Sequence, residues 1–153
     1  MIHTWNQVQR LPIDIKTAWD FFSKPENLND ITPPDLRFKT LSDPPTHFYP
    51  GLFIIYQISV FKGIHFEWVT EITHAQEPNF FADEQRSGPY ALWHHEHHFK
   101  EVEGGVEMED KVYYKLPLGW LGNLFHNALV KPKLKHIFEY RRAVLENRFG
   151  VLA

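Results

Sequence analysis

The chain contains no cysteine. That excludes disulfides, thiolate nucleophiles and cysteine-ligated metals, and it fits a reducing compartment, so a cytoplasmic location is expected. No apolar run approaches the roughly 18 residues needed to span a bilayer, and no transmembrane segment is expected. The start, MIHTWNQVQRLPID, lacks a basic stretch followed by an apolar one and does not read as a secretory signal. Basic patches are scarce too: only Lys131, Lys133, Lys135 and His136 cluster, and the formal net charge is -3. Nucleic-acid binding is therefore not expected. No glycine loop suits a phosphate, since Gly104-Gly105 reads as a hairpin and Gly119-x-x-Gly122 precedes an apolar helix. No serine stands in a nucleophile-elbow context. Repeats, low-complexity tracts and dividing linkers are all missing. With 153 residues, one domain over 1–153 with a sizeable core is expected.

What the chain has in quantity is aromatic residues, 16% of the total, and histidines, ten of them. The apolar pattern begins with a loose alternation over 2–10. Asp14 follows as a plausible N-cap, and Ile15, Ala18, Trp19 and Phe22 then mark one face of a short helix. Pro25 starts a second short helix carrying Leu28 and Ile31, ended by Pro33-Pro34. From residue 35 the period is two. Leu36, Phe38 and Thr40 suggest a strand. Leu52, Ile54, Tyr56, Ile58 and Val60 share the face of another, and Lys62-Gly63 is a turn. Ile64, Phe66, Trp68, Thr70 and Ile72 alternate against polar neighbours. Val106, Met108, Val112, Tyr114 and Leu116 do the same, with Asp110 interrupting the apolar face. After Gly119 the period returns to 3.6. Leu121, Leu124, Phe125, Ala128 and Leu129 form one stripe; Leu134, Ile137, Phe138, Arg141, Val144 and Leu145 form a second, with a kink or restart expected at Pro132.

The segment FADEQRSGPYALWHHEHHF, 81–99, departs from this pattern. It reads as two strands joined at Ser87-Gly88-Pro89. Trp93, His95, His97 and Phe99 share one face, and His94, Glu96 and His98 the other. The face with Trp and Phe at its ends is the inner one, so two histidines stand in an aromatic interior, with Asp83 and Gln85 on the same side of the neighbouring strand. Buried polar groups need partners, so this wall implies a ligand cavity or an internal hydrogen-bond network. If Gly104-Gly105 is the two-residue turn, His97 pairs with Val112 and His95 with Tyr114. Asp110 then lies diagonal to His97, within contact.

The order of elements predicts an α+β fold: a strand, two short helices, six strands at hairpin spacing, and a long helix to cover the apolar face of the meander. Several strings in this order resemble the helix-grip proteins, the SRPBCC superfamily that includes START lipid-transfer domains and birch-pollen-type allergens, and within it a bacterial group of small stand-alone members. They are AWDFFSKPENLNDITPPDLRF (18–38), the strand around Tyr56, FEWVTEIT (66–73), the 81–99 segment, MEDKVYYKLPLGWLG (108–122) and YRR (140–142). The resemblance implies a curved seven-stranded antiparallel sheet wrapped around the C-terminal helix, with a cavity between them. It says little about chemistry, since this fold hosts transfer proteins, cyclases and hydrolases.

The expected activity is binding of a small apolar or amphipathic molecule in that cavity. Tyr56, Trp68, Thr70, Phe81, Trp93, Tyr114, Phe125 and Leu129 would supply area. Asp83, Gln85, His95, His97 and Asp110 would read a polar head. An alternative is an enzyme of the cyclase/dehydratase or hydrolase type with His97 or His95 as base, oriented by Asp110 or Asp83. A second is a protein-interaction module. A structural role for the His/Asp group, holding the sheet's interior, competes with both. His94 and His98 lie roughly 13 Å apart along a strand and cannot chelate one ion; His95 and His97, about 6.6 Å apart, could do so with Asp83 or Asp110. Those groups also have one another as partners, so the sequence predicts no metal and no cofactor.

Overall fold

Alternating side chains set the faces of the sheet, and one long helix covers its inner face. The computed structural model describes residues 1–61 and 63–152, the side chains of 60, 61, 121 and 123 excepted. The expected inward side chains of Val60 and Leu121 and the turn residue Lys62 lie outside the described residues. Seven strands pair antiparallel in the order β1-β7-β6-β5-β4-β3-β2. They are β1 (His3–Leu11), β2 (Lys39–Thr40), β3 (Phe53–Phe61), β4 (Ile64–Gln76), β5 (Phe80–Ser87), β6 (Leu92–Val102) and β7 (Gly105–Lys115). The first strand closes the order by pairing with the last: His3 faces Tyr114 and Leu11 faces Val106.

Between β1 and β2 lies helix α1 (Ile15–Phe22). Asp14 caps it as expected, accepting from the Thr17 backbone N–H at 2.9 Å. Ile15, Ala18 and Trp19 are buried, but Phe21 rather than Phe22 completes the buried face. Pro25–Leu28 is a single 3-10 turn rather than a full helix. The strand expected from Leu36 is shorter than its pattern. Pro34–Leu36 forms another 3-10 turn, and Arg37 turns left-handed at φ 45°, which breaks the extended run, so only Lys39–Thr40 pair. Leu36 still reaches the core, fully buried.

The expected inner faces hold. In β7 every even residue from Val106 to Tyr114 is buried, as is Leu116 just beyond its end, and in β6 His95 and Phe99 are. Thr70 and Ile72 are buried in β4, while Ile64 at its start is exposed beyond the core. A bulge after Ile72 shifts the register so that Ala75 faces Phe81. The β6–β7 register differs from expectation by one pair. Val102 pairs with Gly105, so the turn is Glu103-Gly104, with Gly104 at φ +81°. His97 therefore stands opposite Asp110, and His95 opposite Val112. Gly105 belongs to the strand for a steric reason: a Cβ there would lie 2.0 Å from the Leu11 carbonyl oxygen.

The C-terminal run comprises α2 (Trp120–Phe125), a π turn (His126–Val130) and α3 (Lys131–Phe149). Pro132 lies just past the π turn in a run that is helical from residue 120, so its missing N–H removes a donor from the helix ladder, and the π turn just before it is the expected irregularity. Leu134, Phe138, Arg141 and Leu145 are buried on α3. Leu134 and Phe138 pack with Val112 and Tyr114, and Leu145 with Val106 and Met108. Two inward glutamines of β1 fasten the helix: Gln7 donates to the Phe138 carbonyl at 3.2 Å and Gln9 to the Arg142 carbonyl at 3.1 Å. The other stripe turns outward. Leu124, Phe125, Ala128 and Leu129 are exposed, and among the described side chains of that stretch His126 is the buried one. Among the described residues, no helix is long and apolar enough to cross a membrane.

Candidate functional site

Antiparallel pairing brings the polar residues of three strands to one point. Asp83 stands opposite His95 across β5 and β6, and Asp110 stands opposite His97 across β6 and β7. His95 Nε2 meets Asp110 Oδ1 at 2.8 Å, and His97 Nε2 meets Asp83 Oδ2 at 3.0 Å. Longer contacts complete the square: His97 Nδ1 to Asp110 Oδ1 at 3.3 Å, and His95 Nδ1 to Asp83 Oδ2 at 3.8 Å. The imidazoles lie 3.8 Å apart, and Phe81 stacks on His97 at 4.0 Å. From α3, Arg141 reaches Asp110 with Nη1 at 3.6 Å, and its guanidinium lies 5.0 Å over the Phe138 ring.

The proton inventory explains how the cluster titrates. Two neutral imidazoles offer two N–H groups to four carboxylate contacts. A doubly protonated His97 supplies three, leaving the His95 Nδ1 lone pair at the longest of the four distances. Burial disfavours the cation on both rings. For His97 the carboxylates of Asp110 and Asp83 outweigh it and raise the pKa above 6.5. For His95 burial and the neighbouring His97 win, and its pKa falls. Burial also opposes the charge on Asp83 and Asp110, but hydrogen bonds from the histidines hold both carboxyls below 3.8, Asp110 well below. With His97 and Arg141 positive and both aspartates negative, the cluster is neutral overall.

Beside it lies a cavity of about 170 Å³ between the sheet, α1 and α3. Of the residues singled out by sequence, Tyr56, Trp68, Thr70, Phe81, Asp83, Trp93, His95 and His97 line it. Five others lie outside the lining. Gln85 spends its side-chain amide on Tyr90, donating to the carbonyl at 2.7 Å and accepting from the N–H at 3.1 Å. Gly88 makes room for that staple, since a Cβ there would lie 2.6 Å from Gln85 Oε1. Asp110 sits behind the histidines. Tyr114 packs in the core with its hydroxyl 2.7 Å from His126 Nε2. Phe125 and Leu129 point to solvent, 52% and 50% exposed, because their stripe is not the one turned to the sheet.

Sequence reasoning missed two lining residues that matter. Tyr90, to which the sequence pattern assigns no role, packs against Trp93 at 4.9 Å and Trp68 at 5.6 Å and lines the cavity. Arg141 was read as one position of an apolar stripe. It is buried, lines the cavity, and its Nε has no hydrogen-bond partner. An arginine on an otherwise apolar helix face was the available signal.

The architecture matches solved structures over nearly the whole chain. CV1439 from Chromobacterium violaceum superposes with a TM-score of 0.72 at 12% identity, covering 97% of this chain and 98% of that one. Protein Ms6760 from Mycobacterium smegmatis gives 0.67 at 16% identity over 95% and 92%. Ara h 8.0201, a protein of the birch-pollen-allergen type, gives 0.63 at 14% identity over 96% and 99%. This is the helix-grip fold. At such identities the likeness concerns the fold alone. No protein-family model matches the sequence, and no curated protein does. Within the helix-grip frame, the cavity between sheet and helix is the region whose chemistry belongs to this chain.

Proposed function

We propose that the protein binds a small amphipathic molecule, with a ring-sized apolar body and an oxygen-bearing head, in the cavity between the sheet and α3. Arg141 carries this reading. A buried donor without a partner costs about 1–3 kcal/mol, and a ligand carboxylate or carbonyl oxygen at Nε would remove that cost. The volume supports a small ligand, because an engineered cavity of about 150 Å³ already holds benzene. Trp68, Trp93 and Tyr90 supply the apolar wall.

Benzoate and toluene, titrated separately by calorimetry and tryptophan fluorescence, test the two halves of the proposal. Benzoate should bind the wild type, and Arg141→Met should lose at least tenfold in benzoate affinity while keeping that for toluene. Equal affinities for both probes in both proteins would remove the head-group reading. If neither probe binds, and native mass spectrometry of protein from its own host finds no carried molecule, the binding reading fails.

The enzyme alternative needs His97 to exchange a proton with the ligand. Burial opposes the cation, but the carboxylates of Asp110 and Asp83 outweigh it and raise the pKa, which favours the proton-donating form of the ring. Turnover lost in His97→Gln with benzoate binding retained would favour it. The interaction-module alternative draws on Leu118, Trp120, Leu124, Phe125 and Leu129, all exposed.

A further inference from the structure

We infer that Asp83, His95 and His97 form a site for a divalent transition-metal ion of the zinc class in the wall of the cavity. His95 and His97 are two apart on β6 and share a face, and Asp83 lies directly across from His95 on β5. Rigid paired strands thus set all three donors. One ligand atom from each, two imidazole nitrogens and a carboxylate oxygen, fall within 4.8 Å of one another. Asp83 Oδ2 is 3.0 Å from His97 Nε2 and 3.8 Å from His95 Nδ1. A tetrahedral ion with bonds of about 2.0 Å to such donors has ligand–ligand edges of roughly 3.3 Å, so small side-chain rotations suffice.

The second observation is what stands behind the donors. The distal nitrogens, His95 Nε2 and His97 Nδ1, both meet the same oxygen, Asp110 Oδ1, at 2.8 and 3.3 Å. A carboxylate that takes the N–H of both rings fixes their tautomers and leaves the lone pairs of His95 Nδ1 and His97 Nε2 facing Asp83. Ligating histidines are ordinarily held in this way by an outer carboxylate. Arg141 in turn balances Asp110. Three acceptors then converge on one point, and a proton on His97 Nε2 satisfies only one of the two pairings. An ion there satisfies all three, and that proton leaves to solvent as the ion enters.

Asp83, His95 and His97 line the cavity, while Asp110 does not. The unfilled coordination position therefore faces the cavity, the arrangement of a three-ligand site that keeps one position open. Two nitrogens and one carboxylate suit zinc, iron(II) and cobalt(II) over magnesium or calcium. Taken with the ligand-binding reading, on which this last point rests, the ion and Arg141 would share the oxygen of an anionic head.

Cobalt(II) alone is the probe, added to chelator-stripped protein, with visible absorption and calorimetry as readouts. One equivalent should bind, zinc should displace it, and the histidine 15N resonances of His95 and His97 should shift. Asp83→Asn should abolish binding while its amide NMR spectrum stays folded. Asp110→Asn should weaken it by about 10–100-fold, the usual cost of an outer partner. His94→Ala together with His98→Ala on the opposite face should change nothing. No binding to the wild type, or binding lost with His94 and His98 but kept in Asp83→Asn, overturns the proposal. Because no organic ligand is added, failure here leaves the benzoate result untouched, and failure of benzoate to bind leaves this one untouched.

Discussion

Asp110 stabilises its neighbours more than its own solvation would suggest. It accepts from His95, contacts His97 and faces Arg141, all within a buried cluster. Asp110→Ala would leave His97 and Arg141 to share the single carboxylate of Asp83, one positive charge in excess, and removing one partner of a buried pair costs about 3–5 kcal/mol. Urea titration should show that loss. In metal-free protein the pH dependence has a definite sign. The folded pKa of His97 is raised, so its contribution is complete below the unfolded value near 6.5 and disappears as pH climbs through the higher folded value. The pKa of His95 is lowered, so its contribution is complete above 6.5 and is lost as pH falls through the folded value. The depressed Asp83 and Asp110 lose theirs only as pH falls through folded values below 3.8. His97→Gln should therefore destabilise more at about pH 6 than at about pH 9. An equal or reversed difference in denaturant midpoints would contradict this account of the cluster.

At the scale of elements, the turn between β6 and β7 decides the site. Two glycines allow two frames for a two-residue turn, and both keep the same residues inward. Sequence therefore revealed the faces but not the register that puts Asp110 directly opposite His97. The deciding contact is long-range, the approach of the Leu11 carbonyl to Gly105, and local pattern cannot show it. Gly105→Ala should push β1 from β7 at a cost of about 1–3 kcal/mol, visible as a lower Tm and as faster amide exchange in β1. The strands β4, β6 and β7 were legible because alternation against a covering helix leaves a period of two. The outward stripe of α2 and the π turn was not. Its apolar spacing is as regular as that of α3, and only the turn at 126–130 decides which stripe meets the sheet. Arg141 was hidden for a related reason, since helical spacing gives a position and not the buried partner awaiting it.

Across the whole molecule, order should be graded. β7 has a long partner on each side, and its inward residues are all buried, whereas β2 is a two-residue edge and 118–129 exposes the large apolar side chains of Leu118, Trp120, Leu124, Phe125 and Leu129. Hydrogen exchange should place the slowest amides in β7 and the adjoining parts of β1 and β6. The fastest strand and helix amides should fall in β2 and α2. Uniform protection would contradict this gradient.

The pairing of β1 with β7 has a consequence for how the chain is made. The strand synthesised first meets its partner only when the strand synthesised last has emerged, since Leu11 faces Val106 and His3 faces Tyr114. The hairpins from β3 to β7 can form in sequence as they leave the ribosome. Residues 3–11 must wait, and closing so long a loop adds an entropic cost that rises only slowly with its length but delays the event. Gln7 and Gln9, which fasten α3, wait with them. The helix that covers the cavity is thus anchored only after residues 131–149 have themselves emerged, and a ribosome-bound chain that stops after β7 would expose the interior His/Asp wall to solvent.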